Sequence, residues 1–208
     1  TATSFTVVAL TGIILALKWV SGIKPISPEE SKELIAKSLP INPKDQLTPK
    51  NAHPKAAALM TESFYWNCAD DNSPFGNDNG ADALSEFRIW RKKHPTEKPE
   101  LFIKELCEKF QAPFSEWNET TPERLNTIFG SKKSYAMTTG DDIIISVAFA
   151  QLMIEGKVDN SLKQIAFVAI GKEEAANTIE RRGWVNPKER KQRLIKFRDV
   201  LQAAEEKN

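Results

Sequence analysis

A long apolar run in the second half of the chain limits the folds that are open to it. Residues Ile143–Glu155, IIISVAFAQLMIE, are apolar on almost every face. A helix that is apolar all round is buried, so we expect this segment at the centre of the fold. Its β-branched start would suit a strand, but its unbroken length favours a helix. Thr139 and Asp142 are expected to cap this helix, and Gly156 is expected to end it.

Several other segments carry apolar residues at helical spacing and are bounded by capping residues, proline or glycine. The predicted helices are 56–62, 80–92 capped by Asn79 or Asp78, one opened by Pro99, 122–129, one or two within 160–182 with a possible break at Gly171, and 187–205 capped by Asn186. Paired alternating runs typical of hairpins are absent from the sequence. The sequence therefore predicts an all-α fold: a compact multi-helix domain, preceded by an N-terminal hydrophobic helix.

The N-terminal segment, residues 1–24, differs from the rest of the chain. Residues Thr1–Leu17 carry no charged side chain, and as a helix they would span roughly 26 Å, slightly less than the roughly 30 Å of a hydrocarbon core. We expect a single membrane anchor; a cleaved signal peptide and a buried helix are the alternatives. Lys18, Lys24 and Lys32 follow the apolar run and no basic residue precedes it, which predicts a body on the cytoplasmic side.

A proline-rich segment separates this predicted anchor from the body. Residues 25–54 hold six of the twelve prolines, with a short predicted helix over Pro28–Lys37. Such a composition is typical of a semi-rigid connector. The predicted organisation is an anchor at 1–24, a spacer at 25–54 and a helical globular domain at 55–208.

Charge is balanced overall but uneven along the chain. The net charge of +1 gives no general attraction to nucleic acid, and we expect no nucleic-acid partner. Residues 70–86 hold five acids and no base, whereas residues 181–198 hold eight bases and one acid. These runs are either solvated faces that complement each other or a basic docking helix for an acidic partner. The oligomeric state is left open.

The segment Phe64–Leu84, FYWNCADDNSPFGNDNGADAL, concentrates aromatic, acidic and turn-forming residues. An EF-hand calcium loop that starts at Asp71 fails because Phe75 occupies a ligand position. A less regular divalent-metal site is left open, so the metal is unknown, and no cofactor is predicted. It would use Asp70, Asp71, Asp78 and Asp82. The structural alternative is that Asn79 and Asp82 belong to the start of a helix.

Catalytic patterns are scarce. The two histidines, His53 and His94, are each followed by proline, which is typical of a loop. The sequence has no P-loop, no nucleophile elbow and no paired-histidine metal motif. Cys107 lies beside an apolar helix face and is expected to be a buried, inert thiol, whereas Cys68 is expected to be more exposed. No catalytic residue is predicted.

Several short motifs carry a resemblance to a known family. They are His53-Pro54, Phe64-Tyr65-Trp66, the run Ser73–Asp82 and Trp90-Arg91. On these motifs the chain, from about residue 53 onward, resembles the YfeS-like family of uncharacterised bacterial proteins. The resemblance implies a bacterial source and a helical domain, and it brings no activity and no catalytic residues.

Two hypotheses about function follow. The first is a non-catalytic, membrane-tethered module, adaptor- or immunity-like, that binds a protein partner through the aromatic and acidic segment. Its candidate binding residues are Phe64, Tyr65, Trp66, Asp70, Asp71, Phe75, Asn77, Asp78 and Asp82. The alternative is a metal-dependent hydrolase in which the four aspartates hold an ion that activates water.

Overall fold

The structure is a computed structural model that describes Ser27 and residues 46–113, 115–175 and 177–207. The anchor predicted at 1–24, and most of the spacer predicted at 25–54, lie outside the described residues. The domain boundaries drawn from the sequence therefore stay predictions.

The described body is built almost entirely of helices, which confirms the all-α prediction. Its α-helices are α1 (Pro54–Leu59), α2 (Asp78–Lys93), α3 (Pro99–Lys109), α4 (Pro122–Phe129), α5 (Lys133–Glu155), α6 (Asn160–Glu174), α7 (Thr178–Arg181) and α8 (Pro187–Ala203). Two short 3-10 helices cover Pro49–Asn51 and Ser63–Trp66. The two-residue strands β1 (Val158–Asp159) and β2 (Glu206–Lys207) pair in parallel, with Val158 opposite Glu206.

Helix α5 is the centre of the fold, as its apolar composition predicts. Helices α2, α3 and α6 pack around it, and every residue from Thr139 to Met153 is buried. The predicted start was wrong, because α5 begins at Lys133 and both Thr139 and Asp142 lie inside it. The N-cap residue Lys132 makes no side-chain cap, and the Ser131 hydroxyl before it accepts a hydrogen bond from the Lys133 N–H at 3.1 Å. Gly156 ends the helix with a left-handed conformation, φ 72°.

The hydropathy of α5 also bears on membrane placement. Among the described residues, α5 is the helix long and apolar enough to cross a bilayer, yet 89% of its most apolar 18-residue window is buried. A core helix passes the same test of length and composition. The hydrophobic anchor helix was predicted elsewhere, in residues that the structure does not describe.

The ends of the other helices mostly follow the sequence signals. Pro99 opens α3, α4 has its predicted bounds, and the Asn186 side chain caps α8 by accepting from the Glu189 N–H at 3.2 Å. Two details were wrong. The cap of α2 is Asn77, whose side-chain oxygen accepts from the Gly80 N–H at 2.8 Å, and Gly171 lies within α6.

Candidate functional site

The segment 67–82, here named the signature loop, is held by its own hydrogen bonds. The Ser73 hydroxyl accepts from the Phe75 N–H at 3.2 Å and donates to the Asn67 carbonyl at 2.9 Å. The Ser73 N–H donates to the Asp70 carbonyl at 2.7 Å, and the Asp70 side chain accepts from the Asn72 N–H at 3.0 Å. Asp70 is therefore a turn-forming residue in this structure.

Two glycines of the signature loop are required by close backbone contacts. A Cβ at Gly76 would lie 1.8 Å from the Asp70 carbonyl oxygen. A Cβ at Gly80 would lie 2.6 Å from the Pro74 carbonyl oxygen and 2.9 Å from the Ser146 hydroxyl. Any side chain at these positions would force the loop away from itself or from α5.

The signature loop is also attached to the core. The Ser146 hydroxyl of α5 lies 2.6 Å from the Pro74 carbonyl oxygen. At the other side of the loop, Arg190 of α8 donates to the Asn72 carbonyl at 3.3 Å. The loop is thus fixed to two helices and presents a defined surface.

A group of paired charges lies beneath the loop, here named the buried charge cluster. Its members are Asp141, Asp142, Lys172, Glu173, Arg182 and Arg190. Asp141 pairs with Lys172, and Asp142 pairs with Arg182. Arg190 holds Glu173 through two hydrogen bonds of 2.8 Å each. A charged side chain is tolerated in the core only when it is paired with an opposite charge. The packing of α5, α6 and α8 therefore depends on these ion pairs.

Burial and pairing compete in setting the protonation of this cluster. Burial raises the pKa of Asp141 to about 6, although Lys172 opposes the shift. Burial would also raise the pKa of Glu173, but Arg182 and Arg190 outweigh it and hold that pKa below its usual range. Of these two carboxylates, Asp141 is therefore the one whose pKa burial shifts toward neutral pH.

A cavity of about 580 Å³, here named the loop cleft, opens between the signature loop and the segment that follows α7. Its lining from the loop and α2 is Asp71, Asn77 and Asp78, and its lining from the other side includes Phe129, Asp142, Arg181, Arg182, Trp184 and Val185. Three of the nine residues predicted as binding residues therefore meet in one cavity.

The charges at the rim of the loop cleft differ from those at its floor. Asp142 and Arg182 on the floor satisfy each other, and Asn79 donates to Asp142 at 3.2 Å. At the rim, Asp71 and Asp78 are exposed and form no ion pair with any described residue. The rim therefore has uncompensated acidic charge that is accessible to a partner.

The opposite rim combines positive charge with exposed apolar surface. The Arg181 guanidinium lies 5.9 Å from the centroid of the Phe129 ring. Val185 is fully exposed, and Trp184 beside it packs under the Arg190 guanidinium, 4.2 Å from the ring centroid. Val185 is thus an exposed apolar side chain at a rim that also carries the positive charge of Arg181.

The remaining predicted binding residues lie elsewhere. Phe64, Tyr65 and Phe75 are buried in the core, where Tyr65 lies 5.8 Å from Phe149 between ring centroids. They pack the signature loop onto α5 and α8 and are unavailable to a partner, so the prediction of an aromatic docking surface does not hold for these three rings. Trp66 is half-buried and donates its indole N–H to the Met60 carbonyl at 2.8 Å.

The four aspartates of the proposed metal site do not form one centre. Asp70 lies 3.7 Å from Arg193, Asp71 and Asp78 line the loop cleft, and Asp82 is exposed on α2 outside the cleft lining. Within the described residues, no three His, Cys, Asp or Glu side chains converge in a way that could hold a metal ion.

The basic run 181–198 turns out to be extensively paired. One of its residues, Arg193, contacts the acidic segment directly through Asp70, and this contact supports the interpretation of complementary faces. Its other ion pairs in the body include Arg182–Asp142, Arg190–Glu173, Lys196–Glu62 and Arg198–Glu174. The run is therefore largely committed to holding the fold together.

Sequence reasoning missed half of the loop cleft. Arg181 was counted only as part of a basic run, and Val185 carried no signal at all. Gly183 and Trp184 directly precede Val185, and neither forms a pattern that marks an exposed site.

The fold and the cleft define a small all-α domain with a polar cleft built on a hydrogen-bonded loop. No protein-family model matches the chain, and no solved structure matches it. The chain is similar to the uncharacterised protein YfeS of Escherichia coli strain K12, with 28% identity over 140 residues, which is 62% of this chain. This similarity supports the resemblance to YfeS-like proteins. The chain spans about half, 53%, of the length of that relative.

Proposed function

We propose that the described body is a protein-binding module, adaptor- or immunity-like, that engages its partner at the loop cleft. The observation that carries this proposal is the juxtaposition of two unpaired acids, Asp71 and Asp78, with the exposed Val185 around one cavity. Attachment to a membrane, with the body on the cytoplasmic side, rests on the N-terminal sequence pattern alone.

The chemistry of the rim indicates the kind of segment that would fit. Asp71 and Asp78 favour a Lys or Arg side chain, and each such exposed pair contributes roughly 0.2–1 kcal/mol. Burial of Val185 against an apolar side chain contributes roughly 1.5–3 kcal/mol. The partner segment therefore combines a basic residue with an apolar one, and the apolar contact supplies most of the affinity.

Co-purification with a matched control tests the proposal. The cleft variant carries Asp71→Asn, Asp78→Asn and Val185→Ser. The control carries Asp82→Asn and Ile195→Ser, which remove an acid and an exposed apolar side chain away from the cleft. The partner that co-purifies with the wild type from bacterial membranes should be retained by the control and lost from the cleft variant. Equal recovery with all three proteins would refute binding at this site.

The alternative hypothesis, a metal-dependent hydrolase that uses the four aspartates, has no specific support in the described geometry. It stays a hypothesis from the sequence. Calorimetric titration with Ca²⁺, Mg²⁺ and Mn²⁺ tests it directly, since a bound ion would release or absorb heat and raise the melting temperature.

A further inference from the structure

A second cavity lies away from the loop cleft, between α2, the end of α5 and the segment that enters α1. Its volume of about 390 Å³ is within the range of small-molecule sites. Its lining includes His53, Arg88, Arg91, Lys92, Met153 and Ile154. We name it the basic cavity, because three of these side chains are basic and no acidic residue of the described chain lines it.

The basic cavity brings together two sequence motifs that the loop cleft does not use. His53 belongs to the His53-Pro54 motif and Arg91 to the Trp90-Arg91 motif, both of which carry the family resemblance. The two residues are distant in sequence, yet they line the same cavity. The fold therefore gives these two motifs a shared location.

The His53 ring is held in one orientation. Its backbone N–H donates to the Met153 carbonyl at 2.7 Å, and its Nδ1 accepts from the Lys55 N–H at 3.2 Å. The same edge of the ring lies against Gly156, where a Cβ would be 2.1 Å from Nδ1 and 2.3 Å from Cε1. A neutral imidazole that accepts at Nδ1 carries its proton on Nε2. Since His53 is half-buried and its Nδ1 edge is occupied, the Nε2–H is the donor that the ring keeps for the cavity.

Three basic residues lie on one face of α2. Arg88, Arg91 and Lys92 are spaced i, i+3 and i+4, so their side chains are neighbours, and like charges at this spacing repel each other. Arg91 is 7% exposed and pairs with Glu155 at 2.8 Å. Lys92 is exposed and forms no ion pair with any residue that the structure describes. An anion in the cavity would therefore reduce the repulsion along this face.

The carboxylates close to these residues are engaged outside the cavity lining. Glu155 holds Arg91, and Glu205 holds Lys55 at 2.5 Å. Neither acid lines the cavity. A ligand therefore meets cationic side chains and an N–H donor on the polar walls, and it meets Met153 and the partly exposed Ile154 on the apolar wall.

We propose that the basic cavity binds a phosphate monoester that carries an apolar group. The phosphate oxygens pair with Arg88 and the Lys92 ammonium and accept the His53 Nε2–H, while the apolar group packs against Met153 and Ile154. A phosphate monoester suits these walls because it offers three strong acceptor oxygens and about −1.5 to −2 charges at neutral pH. Guanidinium and ammonium groups are the common partners of such an anion. This site is separate from the loop cleft and does not depend on the function proposed for it.

Nuclear magnetic resonance of the imidazole rings tests the proposal, because the chain has two histidines. The probe is phenyl phosphate, and phenol is the uncharged comparison. Phenyl phosphate should shift the His53 signals saturably. The signals of His94, which packs edge-on to Trp90 outside the cavity lining, should stay in place. Phenol should bind about tenfold more weakly, because it lacks the charge-assisted contacts.

Three variants, measured by calorimetric titration with phenyl phosphate, locate the contacts. His53→Asn keeps an acceptor for the Lys55 N–H but removes the Nε2–H, and it should weaken binding about tenfold. Lys92→Gln should weaken binding about two- to fivefold, whereas Lys93→Gln, which lies outside the cavity lining, should not. Because both lysines are exposed, their comparison stays valid even if His53→Asn disturbs α1.

Two sources carry this phosphate chemistry, a soluble ester and a lipid headgroup. Dihexanoyl phosphatidic acid, tested beside phenyl phosphate, separates them: tighter binding of the lipid assigns the headgroup, and tighter binding of phenyl phosphate assigns the soluble ester. His53 signals that neither probe moves would overturn the proposal, and so would equal shifts of both histidines. Equal affinity of the Lys92→Gln and Lys93→Gln variants, or phenol that binds as tightly as phenyl phosphate, would also overturn it.

Discussion

The hydroxyl of Ser146, in the middle of the central helix, lies 2.6 Å from the carbonyl oxygen of Pro74 in the signature loop. The two residues are 72 positions apart in sequence, and Ser146 is buried. This contact joins the loop to the buried central helix of the fold. The motif residues that carry the family resemblance around Pro74 therefore have an architectural role.

The first prediction concerns the closest approach within the loop. Gly76→Ala places a methyl group 1.8 Å from the Asp70 carbonyl oxygen, so the loop must rearrange. We expect a loss of about 1–3 kcal/mol in the free energy of unfolding, measured by chemical denaturation. Gly130→Ala is the control, since the atoms nearest to a Cβ at Gly130 lie 3.6 Å away, and it should change stability by about 0.5 kcal/mol or less. Equal stability of the two variants would contradict the described loop.

The second prediction concerns the buried charge cluster. Arg190→Met removes both hydrogen bonds from Arg190 to the fully buried Glu173 and leaves Arg182, 3.6 Å away, as an ion-pair partner of that carboxylate. A buried ion pair broken on one side costs about 3–5 kcal/mol. Lys196→Met breaks the exposed pair with Glu62 and should cost about 1 kcal/mol or less. Denaturation midpoints of the two variants give the comparison, and similar losses would show that Glu173 is not dependent on Arg190.

The third prediction concerns pH. Burial raises the pKa of Asp141 in the folded state from 3.8 to about 6, so the folded protein holds this proton more tightly than the unfolded chain. The stabilising contribution is complete below pH 3.8 and is lost as pH rises through about 6. The free energy of unfolding of the wild type, relative to Asp141→Asn, should therefore fall over that interval. A relative stability that rises with pH would mean that pairing with Lys172 outweighs burial.

The fourth prediction concerns the two thiols. Cys68 is exposed, whereas Cys107 is buried and its pKa is raised to about 11, first by burial and then by Asp141. A thiol reagent should modify Cys68 alone in the native protein and both cysteines in denaturant. Cys68→Ser should abolish the native reaction. Rapid native labelling of that variant would show that Cys107 is accessible.

The elements that the sequence predicted well are those with local signals. Helix α4 lies between Pro122 and Gly130, and α8 begins at Asn186-Pro187, so each boundary is encoded by the residues that form it. The buried, inert Cys107 followed from its position beside an apolar helix face, and the structure confirms its burial.

The elements that were missed depend on residues distant in sequence. The first turns of α5 contain Thr138, Gly140 and Asp141, which locally favour a loop, but Lys172 of α6 makes a buried Asp141 tolerable inside a helix. In the same way, the acids of the loop cleft could be named as candidates from the sequence. Arg181 and Val185, which complete the cavity, come from a distant part of the chain. Hydrophobic periodicity reflects residues that are close in sequence, so it does not predict contacts between distant segments.

The central helix also has a consequence for the growing polypeptide. Helices α6 and α8, which pack around or beside α5, are synthesised after it, so a newly made α5 meets water, lipid or chaperones before its cover exists. Its apolar window is then open to the machinery that inserts proteins into bilayers. Asp141 and Asp142 disfavour insertion of α5 into a bilayer, because an ionised carboxylate is costly in lipid. Lys172 and Arg182, which pair with these acids, are synthesised after α5. The two acids at the centre of the finished fold therefore make insertion of α5 into a bilayer costly for as long as their basic partners have not been synthesised.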